Sequence, residues 1–565
     1  AGTTNEKSMS HRIGQNRLQF GLFATPLDEM IAQDNMVRVI DAFVDAIDLE
    51  KLGFIHVKAH KKGAPPYHPS LLLKIYIYGY LNRVRSSRRL ETECGRNIEL
   101  LWLTGCQKPS YHTISDFRSI KPHRKALKAT FRLFNQVLDG AGLYGKELVA
   151  IDGTKISAQN SKKNNISEDK IIKRLEYHES RFMEYLDEMD RADEAIHRGE
   201  EPEVSPDVIN KALDDIQHRT EKLHGLLKLL DEAQAEDPTI RQISLVDPEA
   251  RSLPMNNLGH TSIAYNIQSA VDEQHCLVAH FSVENISDVH LLSQTATDTK
   301  NELQVETLEV LADKGYHYSA ELQKCEDAHI TTYVAYPDQD YKTKADGFRK
   351  EDFEYLPEED VYICPIGEEL TSNGTVYDKH GKNGQLQSQF QVYRLPYATC
   401  QQCMCADFCL TAASHKVRHG RHIDRNIYEA AMVANRLRVL NNRDKYKRRQ
   451  AIVEHPYGTI KRSWGFYYTL LKGKEKVNGE YSLVFLAYNM RRAVSILGMK
   501  GLLERLKKAF SIFCLCGAQC SPRTRVKTWK IFAFCGAAGR FRRWNAPLEI
   551  RGWRFFSQSA FCETK

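Results

Sequence analysis

The stretch Leu148-Val149-Ala150-Ile151-Asp152-Gly153-Thr154-Lys155 constrains the fold more than any other part of the chain. Four consecutive apolar residues rich in β-branched types read as a buried strand. One carboxylate follows and then a glycine, so Asp152 is expected at a strand end, facing whatever lies beyond the sheet. An Asp there is commonly a turn or N-cap residue, but two later stretches give it another reading. Residues 308–316 repeat the order of apolar strand, single carboxylate (Asp313) and glycine, before a helix-like segment from Ser319. Residues 446–461 read YKRRQAIVEHPYGTIK, with Glu454 the only carboxylate of a basic run. Two Asp and one Glu offer hard oxygen ligands to a pair of magnesium ions, the arrangement that activates water and steadies both oxygens in phosphoryl transfer.

A chain of 565 residues exceeds one ordinary core, so about two to four domains are expected. With 42% hydrophobic and 27% charged residues it is of the globular class. No run approaches the roughly 18 apolar residues that span a bilayer, and no leader-like n-region and h-region pair opens the chain, which predicts a cytoplasmic protein with no membrane partner. The net charge of +7 is unevenly spread. Lys and Arg outnumber Asp and Glu by 21 to 12 over 1–132 and by 16 to 5 over 416–476, whereas acids lead by 23 to 11 over 166–250. Basic regions of this kind bind phosphate backbones or form a solvated surface. Fourteen cysteines without a secretory signal predict reduced thiols and metal binding more than a disulfide framework.

The N-terminal part, 18–135, reads as helical. Apolar residues recur at helical spacing over 26–52, and a helix is expected over 71–81 with Pro69 near its first turn. Ser87 is expected to cap a further helix that opens with Arg88 and Arg89, and another short helix follows Gly95. Short successive helices with basic turns suit either a helix-turn-helix-like reader of DNA or a plain helical domain packed on the core.

After the Asp152 strand, the next strand is delayed by an insertion, 165–235. Ile172, Leu175, Phe182, Leu186 and Met189, then Leu213, Ile216, Thr220, Leu223, Leu227 and Leu230, predict an antiparallel helical hairpin with an acidic surface. Strands are expected over 260–271 and 275–283, then a helix over 289–303, the Asp313 strand, a helix over 320–328 and a strand over 330–335. The pattern breaks up over 340–422, where CQQCMCADFC supplies Cys400, Cys403, Cys405 and Cys409, with Cys364 upstream. That spacing suits tetrahedral zinc held by thiolates, or else a cluster packing as small apolar groups. A long helix is expected over 423–453, and Pro456 predicts that Glu454 lies at a kink or helix end. If the helix continues, Lys461 at i+7 shares its face and could hold a DNA phosphate. Residues 480–497 read as a helix closing the core. The tail, 510–565, interleaves basic residues with Trp529, Phe532, Phe541 and Trp544, a composition that can stack on single-stranded nucleic acid.

From Gly21 to Lys508 the chain resembles the DDE transposases of bacterial insertion sequences, in particular the group numbered eleven eighty-two, related to group four. AIDGTK, LADKGYH, VEHPYGTIKR and EYSLVFLAYNMRRA carry the resemblance. It implies an α/β (α+β mixed) fold: an RNase H-like five-stranded mixed sheet with flanking helices as the catalytic domain, 145–500, preceded by an all-helical domain thought to bind the element's ends. It makes Asp152, Asp313 and Glu454 the catalytic, Mg2+- or Mn2+-binding triad. It adds Tyr446, Arg449 and Lys461 as companions of the glutamate, with one residue more between Arg449 and Glu454 than the family pattern has. It selects Cys364, Cys400, Cys403 and Cys409 for structural Zn2+ and leaves Cys405 spare. The implied partners are double-stranded DNA, as terminal inverted repeats and target, and a second copy of the chain in a synaptic dimer at the nucleoid. A catalytically inactive DNA-binding derivative and a metal-dependent nuclease are the alternative readings.

Overall fold

The structure, a computed structural model, describes residues 26–58, 66–159, 164–236, 240–255, 261–336, 347–381, 386–410, 418 and 420–518. Most of the expected tail lies outside the described residues. The first elements are helices: α1 (Met36–Ala46), α2 (Leu49–Leu52), α3 (Pro69–Leu81), α4 (Ser87–Cys94), α5 (Ile98–Thr104), α6 (Tyr111–Ser119) and α7 (Lys121–Gly140). Asn35 starts α1 by accepting from the Val37 amide, and the helix turns Val37, Ile40, Phe43 and Val44 inwards. Pro69 stands in the first turn of α3, where its missing N–H removes no helical bond. This helix is apolar nearly all round and buries almost every residue from Leu72 to Leu81, so the others pack about it. The cap of α4 is Ser86 rather than the expected Ser87.

β1 (Leu148–Ser157) then enters the centre of a mixed sheet. The helical hairpin α8 (Glu168–His197) and α9 (Pro206–Glu236) follows, then β4 (Arg251–Pro254), β5 (Thr261–Asp272), β6 (Val278–Glu284), α10 (Leu292–Leu303), β7 (Leu308–Ala312), α11 (Ser319–Asp327) and β8 (Ile330–Val334). Two three-residue strands, β2 (Asn165–Ser167) and β3 (Gln242–Ser244), close the base of the hairpin. The main sheet runs β4-β5-β1-β7-β8, with β6 beside β5. β5 is antiparallel to β1, while β7 and β8 are parallel to their neighbours. The five expected strands are all there, in RNase H-like order, and β4 is a sixth that was not expected. The inner stripe of α8 departs from its expectation at two places: Leu175 packs against the hairpin's buried cluster, but Ile171 is buried in place of Ile172, and Ile172 and Leu186 are 41% and 37% exposed.

Where the sequence lost its period, a second sheet is found. β9 (Glu354–Leu356), β10 (Val361–Ile363), β11 (Glu369–His380), β12 (Leu386–Arg394) and β13 (His422–Asn426) run in the order β13-β12-β11-β10-β9. Two short helices, α12 (Tyr397–Gln402) and α13 (Ala406–Cys409), lie between its last strands. The long helix expected over 423–453 is three elements: β13, α14 (Glu429–Asn441) and α15 (Arg443–Tyr457), broken at the non-helical Asn442. The Asn435 side chain on α14 both accepts from and donates to the Val334 backbone at 2.8 Å, covering the free edge of β8. The last helix, α16 (Lys474–Ala518), is interrupted at Gly498, whose φ of +68° is left-handed. Its Asn489 side chain is fully buried and bonds both backbone groups of Val278, which fixes α16 across β6.

Candidate functional site

β1 does not end at Asp152, as its sequence suggested. It continues to Ser157 because β5 pairs it along its whole length, setting Asp152 opposite Ser269. Gly153 is therefore not a turn residue. A Cβ there would lie 2.3 Å from Asp288 Oδ1 and 2.4 Å from Gln268 Nε2, so any side chain would have to push that hydrogen-bonded pair aside. On its other side β1 pairs with β7 in parallel, Leu148 beside Glu309 and Ala150 beside Leu311. The same offset, carried two residues on, brings Asp152 alongside Asp313 where β7 has just ended and the backbone turns into a short 3₁₀ segment. Adjacent strands lie about 4.8 Å apart, so the two carboxylates share one end of the central strand pair.

Burial pushes the Asp152 carboxyl up to about 6; the Arg449 guanidinium and the Gly153 N–H oppose this, and the charges of Asp313 and Asp288 add to it. The Gly153 amide donates to Asp152 Oδ1 at 2.9 Å, and the Gly315 amide to Asp313 Oδ1 at 2.8 Å. Arg449 also bonds to Tyr446, whose hydroxyl burial pushes up. Tyr446 and Arg449 thus do join Asp152 and Asp313, with Arg449 acting as the counter-charge to the acids.

Glu454 lies in the last turn of α15, at the helix end to which Pro456 pointed. Pro456 is accommodated in the last turn of that helix, and a single π-helical turn, Gly458–Ser463, follows. The Tyr457 hydroxyl lies 3.0 Å from both the Asp152 and Ile267 carbonyl oxygens and 2.7 Å from Ser269 Oγ, so α15 is fastened across β1 and β5. Glu454, one turn earlier, is exposed and accepts from Gln450 Nε2 at 2.8 Å. Lys461 is turned inwards instead of sharing that face: its Nζ donates to the Lys155 carbonyl at 3.0 Å. Arg88 and Arg89 are exposed on α4, away from this strand pair in sequence and element.

Sequence reasoning missed Asp288, Tyr457 and Lys155. Asp288 accepts from Asn266 and Gln268, each at 2.8 Å, and from Lys155 Nζ at 2.5 Å, locking β1 to β5 behind Asp152. Only an isolated Asp in a polar turn marked it in the chain.

The cysteines gather at the second sheet. Cys364, Cys400, Cys403, Cys405 and Cys409 all line one cavity of about 30 Å3. Backbone amides of Glu368, Arg421 and Cys405 donate to the sulfurs of Cys364, Cys400 and Cys403 at 3.3, 3.3 and 3.4 Å. Among the described residues no three His, Cys, Asp or Glu side chains already converge at the spacing of a bound ion. The donors nonetheless suit the ions: carboxylate oxygens for magnesium, and sulfurs with amide donors for zinc.

The structure thus offers an RNase H-like sheet with an acid pair at the end of its two central strands. Family comparison adds to this. Residues 25–119 match a transposase domain family (DUF772), and residues 363–494 match a transposase DDE domain. Both matches support a likeness to the DDE transposases of insertion sequences. The second match takes in Glu454, Lys461 and the cysteine cavity, while β1 and β7 precede it. No curated protein matches the chain. Among the described residues no helix is long and apolar enough to cross a membrane.

Proposed function

We propose that the chain binds the ends of its own element and carries out divalent-metal-dependent cleavage and strand transfer there, with Asp152 and Asp313 as shared metal ligands and Glu454 completing the site. The observation that supports this best is the parallel register of β1 and β7, which sets two acids side by side at the end of the central strands. When bound, Mg2+ or Mn2+ would lower the pKa of an attacking water or 3′-hydroxyl and neutralise the leaving oxygen. The chain's own residues hold the reacting groups. Tyr457 fixes α15 against the Asp152 strand, and Glu454 turns inwards from an exposed resting hydrogen bond to Gln450. Arg449, whose charge acts on Asp152 in the metal-free site, would with Tyr446 be available to a DNA phosphate once cations neutralise the acids. The basic faces of the N-terminal helices, including Arg88 and Arg89, hold the duplex, and a second copy of the chain holds the other end.

The cysteine cavity belongs to the same reading as a structural zinc site of Cys364, Cys400, Cys403 and Cys409, with Cys405 as an alternative fourth ligand. Metal analysis of purified protein tests it, and a chain free of zinc without chelator would end it. For the activity, a supercoiled plasmid carrying the element is incubated with the protein and magnesium. Cuts confined to the element's ends are expected. Cuts at unrelated sequences would favour a nuclease, and binding without cuts an inactive DNA-binding derivative.

A further inference from the structure

Side chains alternate along a strand, so β1 presents different residues to its two faces. Asp152 and its cross-strand partner Ser269 share the face that α15 crosses, while Gly153 and its partner Gln268 share the opposite one. The metal-binding reading uses only the first face. On the second, Asn266 and Gln268 of β5 meet Asp288 in the space that the missing Cβ of Gly153 leaves.

These three end a chain of hydrogen bonds that begins beside Asp313. Tyr316, three residues further on, is fully buried and donates its hydroxyl to Gln268 Oε1 at 2.6 Å. Gln268 is fully buried as well, and its Nε2 donates to Asp288 Oδ1 at 2.8 Å. Asp288 Oδ1 also accepts from Asn266 Nδ2 at 2.8 Å, and Oδ2 from Lys155 Nζ at 2.5 Å. The carboxylate can only accept, so the amide must turn its nitrogen to Asp288 and its oxygen to Tyr316. With donors on both oxygens, Asp288 belongs to the frame and not to the ligand set.

Asp313 needs such a tie. The backbone pairing of β1 with β7 goes no further than Ala150 and Leu311, and β7 ends at Ala312. Asp313 therefore stands beyond the bonds that align the two strands, and its carboxylate accepts from the Gly315 amide inside its own turn. Tyr316 closes that turn and carries it back to the sheet. Its hydroxyl bonds the residue paired with Gly153, immediately next to Asp152. Any drift of the turn moves Asp313 against Asp152, and two shared ions stand only about 3.5 to 4 Å apart, so ligands must be held to within about 0.5 Å.

We propose that Tyr316 and Gln268 are positioning residues, which act from the far face of the sheet to fix the place of Asp313 relative to Asp152. The inference rests on the acid pair of the proposed function and adds what sets its spacing. It is tested by manganese binding to the full chain without DNA, followed through the paramagnetic resonance signal of the free ion. Asp152→Asn should lose the binding. Tyr316→Phe removes one hydroxyl and keeps the ring, and should weaken binding about tenfold, as loss of a group supporting a metal ligand does. Gln268→Met keeps the length, removes both bonds, and should weaken it at least as much. Tyr265→Phe is the control for mere loosening: Tyr265 lies on the same strand, is equally buried, and bonds Asp247 at 2.8 Å instead. It should lower the melting temperature about as much as Tyr316→Phe and leave manganese binding unchanged. In the plasmid assay, the magnesium needed for half-maximal cleavage should rise in Tyr316→Phe by the factor lost in binding, with duplex affinity unchanged.

Wild-type manganese affinity in Tyr316→Phe and Gln268→Met would overturn the positioning role while leaving the acid pair in place. Equal weakening in Tyr265→Phe would overturn it too, because the loss of any buried hydroxyl on that strand would then suffice. A wild type that binds no manganese, or an Asp152→Asn variant that binds it as tightly, would remove the acid pair itself and the inference with it.

Discussion

Glu480 and Asp152 are both carboxylates drawn into the protein, and the fold treats them in opposite ways. Glu480, fully buried at the start of α16, accepts from Arg85 Nη1 at 3.3 Å, from the Leu470 amide at 2.9 Å and from the Leu471 amide at 3.1 Å. Arg85 in turn lies 4.2 Å over the Phe466 ring. That acid is built into the frame, tying the N-terminal helices to the catalytic body. Asp152 has the amide of its own neighbour, the charge of Arg449 and another acid alongside, and burial holds its carboxyl up to about 6. Buried charge with its acceptors filled is structural, whereas buried charge with acceptors to spare is poised for a ligand.

The comparison breaks most plainly through activity. Asp152→Asn or Asp313→Asn should reduce end cleavage by about a thousandfold or more, upwards of about 4 kcal/mol of barrier, while duplex binding stays near wild type. Cleavage retained in either variant would remove the acid pair from the chemistry. Glu480→Ala should instead cost stability, about 3–5 kcal/mol, because it leaves Arg85 buried without its partner. Urea unfolding measures this, and a loss under about 1 kcal/mol would show that Glu480 is not the tie described.

Asp152 should also behave oppositely to Glu480 in stability. Its folded pKa is raised above the usual carboxylate value, so its contribution favours folding below the unfolded pKa and is lost as pH rises through about 6. Without divalent ions, Asp152→Asn should therefore stabilise the chain by about 1–3 kcal/mol above pH 6. The gain should shrink towards pH 4 and be offset when magnesium stabilises the wild type. Thermal unfolding at several pH values, with and without magnesium, reads this. A variant less stable than wild type at pH 7 without metal would contradict the strained-acid picture.

How legible this was in the chain differs between the two acids as well. Strand runs flanking Asp152 and Asp313 are short, apolar and buried on both faces, so composition alone marks them, and the order of elements through β8 followed. Gly153 misled because a glycine after a strand usually means a turn. Its real cause is Asp288, Asn266 and Gln268, which only the folded register brings against it. The second sheet was invisible for another reason: β11 is exposed along most of its length, so neither alternation nor an apolar run marks it. Arg449 was expected as a companion of the glutamate; that its charge also acts on Asp152 was not legible, because the expected single helix carried no sign of the break at Asn442.

Glu454 stands between the two kinds of acid, and the smallest expected effect concerns it. It is exposed, and its hydrogen bond to Gln450, one turn earlier on the same helix, is a surface contact of little net worth. Gln450→Ala should therefore change stability by less than about 0.5 kcal/mol. If Glu454 must leave that contact to complete the metal site, the variant should need no more magnesium for half-maximal cleavage than wild type, and slightly less if the contact competes. Titration of magnesium in the plasmid assay decides this. A large rise in the magnesium requirement would mean that Gln450 holds Glu454 in its working position, which would make Glu454 a fastened acid like Glu480 instead of a movable third ligand.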